Sequence, residues 1–95
     1  MTPRIVEGDL LEQRVDAIVN AWNRMLWRSS ERSIRDSVTN ALARAREHGF
    51  GSVAFPIIGA GSGGFDEERA LEVMVSTLEA REAEMDVTVV RYRRR

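Results

Sequence analysis

A glycine-rich stretch between an apolar segment and an acidic one most constrains what this chain can fold into. Residues 52–58 (SVAFPII) have the length and composition of a buried strand, and residues 66–68 are three acids that suit the start of a helix. Between them, four of the six residues 59–64 are glycine. The sequence therefore predicts a strand, a tight loop and a helix in succession.

Such a loop is suited to an anion. Glycine lets the backbone approach a ligand closely, and the N–H groups at the start of the following helix attract phosphate oxygens. We therefore expect a phosphorylated nucleotide as ligand, the alternative being a tight turn that binds nothing. The spacing Gly59-x-Gly61-x-x-Gly64 also fits the dinucleotide fingerprint, which needs an acid at the end of the next strand. This chain has Arg91 near that end, which would suit a 2′-phosphate, so a nicotinamide-type site stays as an alternative.

Composition limits the class of protein. Residues 1–95 suffice for one domain, and 43% apolar with 31% charged residues is typical of soluble globular chains. No apolar run approaches a membrane span, and the first residues lack a signal-peptide pattern. The absence of cysteine excludes disulfides and thiolate chemistry and fits a cytoplasmic or purely recombinant setting.

Charged residues exclude further classes of function. All 14 basic residues are arginine, which excludes a lysine nucleophile, a Schiff base and a P-loop lysine. The net charge of -1 argues against nucleic-acid binding, and we interpret the basic residues 91–95 as a solvated end. His48, the single histidine, precedes Gly49 and is interpreted as the end of a helix rather than a metal ligand. No metal or cofactor is expected.

Hydrophobic patterns predict the order β-β-α-β-α-β. The strands are residues 3–7, 15–22, 52–58 and 87–92, and the helices run from a cap at residues 29–30 to residues 48–49 and from about Asp66 to about Glu84. We expect an α/β fold with a mixed sheet of about four strands, residues 3–7 at an edge and residues 15–22 in the interior. Two right-handed crossovers in one direction put both helices on one face, so the other apolar face is expected to lack a cover.

Three blocks of sequence resemble a macro domain, the module that binds ADP-ribose. They are Gly8-Asp-Leu10, residues 15–23 (VDAIVNAWN) and residues 54–64 (AFPIIGAGSGG) with their flanking helices. The resemblance implies that Asp9 accepts a hydrogen bond from the adenine amino group, that the Leu10 N–H reaches the ring and that Asn23 holds the distal ribose. It assigns the diphosphate to the glycine loop. The ligand-binding residues so implied are Asp9, Leu10, Asn23, Gly59, Ala60, Gly61, Ser62, Gly63, Gly64 and Phe65.

The chain also departs from the family pattern. Macro domains have a glycine-rich loop with an acidic residue soon after the second asparagine, and the hydrolases among them use that acid; here residues 24–28 (RMLWR) contain neither glycine nor carboxylate. The next helix, strand, helix and strand of the family are missing too. Gly63 stands where many members have an aromatic residue, with Phe65 close by.

We interpret the chain as an internally deleted macro domain, a truncated three-layer fold of natural or engineered origin. The main functional hypothesis is a non-catalytic module with weakened binding of ADP-ribose or a related nucleotide diphosphate. The alternative is a minimal fold without a surviving ligand that forms a homodimer or higher oligomer through the uncovered sheet face. Trp22 and Trp27 flank the deletion and are interpreted as covering apolar surface there.

Overall fold

The secondary-structure elements follow the order predicted from the sequence. A computed structural model of the chain describes residues 1–19, 30–58, 66–81 and 85–92. Within these ranges the chain forms the strands and helices β1 (Arg4–Gly8), β2 (Ala17–Ile18), α1 (Glu31–Glu47), β3 (Ser52–Pro56), α2 (Glu67–Glu79) and β4 (Asp86–Tyr92). One short 3-10 helix, Leu10–Glu12, follows β1 and was not predicted. The predicted boundaries of β1, α1, β3 and β4 are confirmed to within a few residues, and α2 ends earlier than expected. The strand predicted over residues 15–22 is observed as β2, and residues 20–22 lie outside the described ranges.

All neighbouring strands of the sheet are parallel. The order is β1-β4-β3-β2, with Ile5 opposite Val89 and Phe55 opposite Val89 from the other side. The expectation of a mixed sheet is wrong in this detail. Adjacent strands that follow each other in the sequence are joined here through α1 or α2, and such crossovers keep strands parallel, whereas antiparallel neighbours are joined by hairpins.

The predictions for the two outer strands differ in their outcome. β1 lies at one edge beside β4, as predicted. Residues 15–22 were predicted as an interior strand, but β2 spans Ala17–Ile18 and forms the opposite edge, with Ile18 40% exposed. That prediction is wrong because an apolar run indicates burial of side chains, whereas position in the sheet depends on which neighbouring strands the chain supplies.

Both helices pack on one face of the sheet, as predicted. Val53 and Phe55 alternate along β3, and Val87 and Val89 along β4, so that all four side chains point to the same face. They form one buried cluster with residues at helical spacing from α1 and α2. The helical members are Ile34, Val38, Leu42, Ala45, Ala70, Val73, Met74 and Leu78.

The second face of the sheet is covered at its centre. Ala54, Thr88 and Val90 point away from the helices, and their exposed fractions are 0%, 8% and 3%. The 3-10 helix lies against β3. The expectation that this face is bare is therefore wrong for its central residues, because connecting segments can cover a sheet as helices do.

Polar caps fix both ends of α1. Ser30 and Ser33 form a reciprocal capping box at the start, with distances of 2.8 Å and 3.1 Å between side-chain oxygen and backbone nitrogen. His48 is the C-cap, and its Nδ1 lies 2.8 Å from the carbonyl oxygen of Arg44. The structural interpretation of His48 agrees with this position.

In the described ranges, neither helix has the length and apolar character needed to cross a bilayer.

Candidate nucleotide site

The carboxyl edge of the sheet brings together the ends of β1, β3 and β4 and the starts of both helices. All strands are parallel, so their carboxyl ends lie on one side, and each crossover helix begins there. Ile58 and Asp66, which flank the segment between β3 and α2, both lie at this edge. Open parallel sheets bind ligands at this edge.

Most of the predicted ligand-binding residues fall outside the described part of the chain. Asn23 lies in residues 20–29, and Gly59, Ala60, Gly61, Ser62, Gly63, Gly64 and Phe65 form residues 59–65. Their roles stay predictions. Trp22 and Trp27 also lie outside the described ranges. Asp9 and Leu10 are described, as are the two anchors of the glycine loop.

Asp9 stands directly after β1 and caps the 3-10 helix. Its Oδ1 accepts a hydrogen bond of 2.9 Å from the Leu11 N–H, which is the turn-forming role expected of aspartate after glycine. Within the described ranges, the second carboxylate oxygen of Asp9 accepts no hydrogen bond and the Leu10 N–H donates none. Two consecutive residues at the carboxyl edge therefore have one acceptor and one backbone donor without a partner among the described residues.

Both anchors of the glycine loop are fixed. Ile58 is 1% exposed, and its N–H lies 3.3 Å from the sulfur of Met74 on α2. At the other end Asp66 is the N-cap of α2, and its Oδ2 accepts a hydrogen bond of 3.2 Å from the Arg69 N–H. The loop therefore spans two positions that packing and capping hold in place.

The first turn of α2 is acidic and is paired with the last strand. Glu68 accepts a hydrogen bond of 2.6 Å from Nη2 of Arg91, and Glu67 lies 3.7 Å from its Nε. Arg91 points to the helix side of β4, like Val89. Its cation is thus held by two carboxylates, which leaves the nicotinamide-type alternative without a free arginine at this position.

A second arginine joins the starts of the two helices. Arg69 donates from Nε to Glu31 of α1 over 2.8 Å and from Nη1 to Glu72 over 2.9 Å. Its pKa is raised, first by the hydrogen bond to Glu31 and then by that to Glu72. An arginine with a raised pKa stays protonated until the pH rises past its already very high ordinary value, so Arg69 stays charged throughout the physiological range.

Tyr92 is a candidate that the sequence reasoning did not single out. Its Cα is the register partner of Gly8, the residue before Asp9, and its side chain is 67% exposed. A large exposed ring at the end of the last strand is a surface on which a planar base can stack. The one signal in the sequence was an aromatic residue at the end of a β-branched strand.

Other hollows lie away from this edge. One of about 580 Å³ lies between α1 and α2 and is lined by Arg35, Arg46 and Arg81 together with hydroxyl side chains. Another of about 350 Å³ lies on the second face near Arg4 and Asp86. Within the described residues, no three histidine or carboxylate side chains are grouped as metal ligands.

Comparison with known proteins agrees with the fold. The sequence matches the Macro domain family over residues 4–74. Among solved structures, the macrodomain of Thermus aquaticus DarG superposes with a TM-score of 0.66 at 19% sequence identity, over 98% of this chain and 99% of that one. None of the curated proteins matches the chain.

The family match extends from β1 through β2, α1 and β3 into α2 and includes both Asp9 and the glycine-rich segment. The structural likeness runs nearly end to end in both chains, so it is not confined to one half of the sheet. Macro domains bind ADP-ribose, and the family match covers most of this chain. On these grounds the chain belongs to the Macro domain family.

Proposed function

We propose that this chain is a non-catalytic module that binds ADP-ribose or a related nucleotide diphosphate at the carboxyl edge of its sheet, with weaker affinity than a complete site would give. The observation that carries the proposal is the position of the Asp9 carboxylate and the Leu10 N–H on consecutive residues directly after β1, the strand beside β4. The absence of cysteine is consistent with a cytoplasmic setting.

The adenine end of the ligand has a matching partner. The Watson-Crick edge of adenine offers an amino donor next to a ring-nitrogen acceptor. The free oxygen of Asp9 would accept from the amino group, and the Leu10 N–H would donate to the ring nitrogen. The 2.9 Å bond from Leu11 to the other oxygen of Asp9 fixes the carboxylate before any ligand arrives, which lowers the cost of ordering it.

The protein groups that would meet the diphosphate favour weak binding. A helix N-terminus attracts phosphate because its first N–H groups lack partners. In α2 one of these groups already donates to Asp66, and Glu67 and Glu68 add negative charge in the same turn. A diphosphate must therefore compete with side chains of the protein itself.

Hydrolase activity is not part of the proposal. Residues 24–28 offer no carboxylate to position a water molecule after Asn23. Incubation with an ADP-ribosylated peptide should leave the modification in place. Release of free ADP-ribose in proportion to protein concentration would contradict this.

A titration of isotope-labelled protein with ADP-ribose, followed by amide NMR, tests the proposal. Saturable shifts are expected at Asp9, Leu10 and residues 59–64. Asp9→Asn keeps an oxygen for the Leu11 N–H but replaces the second acceptor with an amide, so affinity for ADP-ribose should fall while the 3-10 helix stays intact. Asp9→Ala should lose the affinity and the cap together.

Two controls separate adenine recognition from phosphate capture. Inorganic pyrophosphate should bind the Asp9 variants as it binds the unmodified chain, because it has no base. Asp36→Asn removes a carboxylate of the exposed Arg32–Asp36 pair on α1 and should leave ADP-ribose affinity unchanged. Equal ADP-ribose affinity in Asp9→Ala and the unmodified chain would contradict the proposed mode.

The alternative is a fold without ligand that associates with itself. One observation favours it: each outer strand presents an apolar side chain, Ile5 with 49% exposed and Ile18 with 40% exposed. Unpaired strand edges with apolar residues favour association with a second copy. Sedimentation over a wide concentration range tests this, since a dimer that Ile5→Lys or Ile18→Lys dissociates would support it and a monomer at all concentrations would exclude it.

A further inference from the structure

Arg91 differs from the other arginines that form ion pairs in the described part of the chain. Its side chain is 19% exposed, whereas those of Arg4, Arg32, Arg35 and Arg69 are 50% to 88% exposed. Its Nε is buried and donates to no oxygen at hydrogen-bond distance within these residues. A half-satisfied, largely buried cation is costly to keep unless its charge is needed where it stands.

The charge of Arg91 is directed at the start of α2, where the proposed site is electrostatically unfavourable for an anion. Asp66, Glu67 and Glu68 put three carboxylates around the start of α2, where the helix dipole would otherwise attract phosphate. Asp66 accepts the Arg69 N–H as the helix cap, and Glu67 and Glu68 add two further negative charges in the same turn. Arg91 contacts both of these, at 3.7 Å and 2.6 Å.

We propose that Arg91 is a positioning residue for the nucleotide diphosphate: it neutralises Glu67 and Glu68 and thereby keeps the acidic start of α2 compatible with an anion. The inference rests on the proposed function of the same edge. Arg91 does not itself contact the ligand, because Glu67 and Glu68 lie against its guanidinium. It sets the potential that the phosphates meet and ties the start of α2 to the end of β4.

Arg69 does not have this role, although it lies in the same turn. Its guanidinium pairs with Glu31 and Glu72, which belong to α1 and to the second turn of α2. It therefore leaves Glu67 and Glu68 to Arg91 alone among the described arginines.

The test measures the dissociation constants of ADP-ribose and of adenosine for four proteins. These are the unmodified chain, the Arg91→Gln variant, the double variant Glu67→Gln with Glu68→Gln, and the triple variant that combines all three substitutions. Arg91→Gln should weaken ADP-ribose binding about three- to tenfold and leave adenosine, which has no phosphate, unchanged. Adding the two glutamine substitutions to Arg91→Gln should restore ADP-ribose affinity. In a chain that keeps Arg91, the same two substitutions should tighten it.

The matched control is Arg4→Gln, which makes the same change in net charge. Arg4 pairs with Asp86 at 3.8 Å near the amino end of the sheet and lies on the opposite face from Arg91. It should not alter affinity for either ligand.

The outcomes distinguish failure of the inference about Arg91 from failure of the proposed function. Arg91→Gln with unchanged ADP-ribose affinity, or with a loss that the glutamine pair does not restore, overturns the inference while leaving the proposed function intact. An unmodified chain that binds no ADP-ribose overturns the proposed function and the inference together. Should Arg91→Gln fail to fold, the chain with Glu67→Gln and Glu68→Gln decides, since affinity no tighter than that of the unmodified chain would overturn the inference.

Discussion

Gly8 of β1 and Tyr92 of β4 are register partners at the carboxyl edge of the sheet. Gly8 has φ +149, which side-chain-bearing residues rarely adopt, and a Cβ built there would meet nothing within 4 Å. Glycine is therefore required at this position by the backbone turn into Asp9 rather than by lack of space. Tyr92 therefore ends β4 next to the strand that leads directly into Asp9, the acid that we assign to adenine.

Tyr92→Ala should weaken binding of ADP-ribose, because it removes a ring worth about 1–3 kcal/mol in stacking on a base. Tyr92→Phe keeps the ring and should bind as the unmodified chain does. The Tyr92 side chain is largely in solvent, so neither substitution should change the free energy of unfolding much. Calorimetric titration checks this, and equal affinity in all three chains would mean that the base does not stack there.

Asp66 is expected to affect both the stability of the chain and its affinity for an anion. Asp66→Ala removes the cap of α2 and should lower the free energy of unfolding by about 1 kcal/mol. Asp66→Asn keeps a capping oxygen and removes one negative charge, so stability should be retained while affinity for inorganic pyrophosphate increases. Urea unfolding and titration with pyrophosphate measure stability and affinity in the two variants. If Asp66→Asn does not raise the affinity for pyrophosphate, the charge of Asp66 does not oppose the anion.

The order of elements could be predicted because local signals agree with the fold. Ser30 is a cap that was expected from its type, Asp66 was expected among the acids at the start of α2, and the helical spacing of Ile34, Val38 and Leu42 marks the buried side of α1. These signals depend on neighbours within one or two turns, so a single sequence contains them.

Longer-range features were not predictable in the same way. β2 was assigned to the interior because its run is apolar, but its neighbours are set by distant parts of the chain. The cover of Val90 and Thr88 likewise depends on how connecting segments cross the sheet. The pairing of Arg91 with Glu67 and Glu68 joins residues more than 20 positions apart, and no pattern along the sequence specifies it.

Two glycines near the amino end of β3 should respond differently to alanine. Gly49 has φ +72, so Gly49→Ala should cost about 1–2 kcal/mol from the left-handed backbone alone. In Gly51→Ala the new methyl group would stand 3.6 Å from Oδ2 of Asp16, an ordinary contact, and stability should stay within a few tenths of a kcal/mol. Thermal unfolding of both chains distinguishes them, and equal destabilisation would mean that Gly49 does not hold this turn in solution.

Phe55 and Phe50 give the sharpest comparison of buried and exposed aromatic residues. Phe55 is fully buried between α1, α2 and the strand neighbours of β3, and in Phe55→Ala the loss of contacts and the cavity left behind should cost about 3–5 kcal/mol. Phe50 is 37% exposed and stacks on His48 with ring centroids 5.5 Å apart, so Phe50→Ala should cost only about 1 kcal/mol. A domain of this size has roughly 5–15 kcal/mol in total, so the first variant should lose much of its unfolding transition and the second should keep it. Guanidinium unfolding followed by far-ultraviolet circular dichroism measures both, and a Phe55→Ala chain as stable as Phe50→Ala would contradict the packing of the helices on this face.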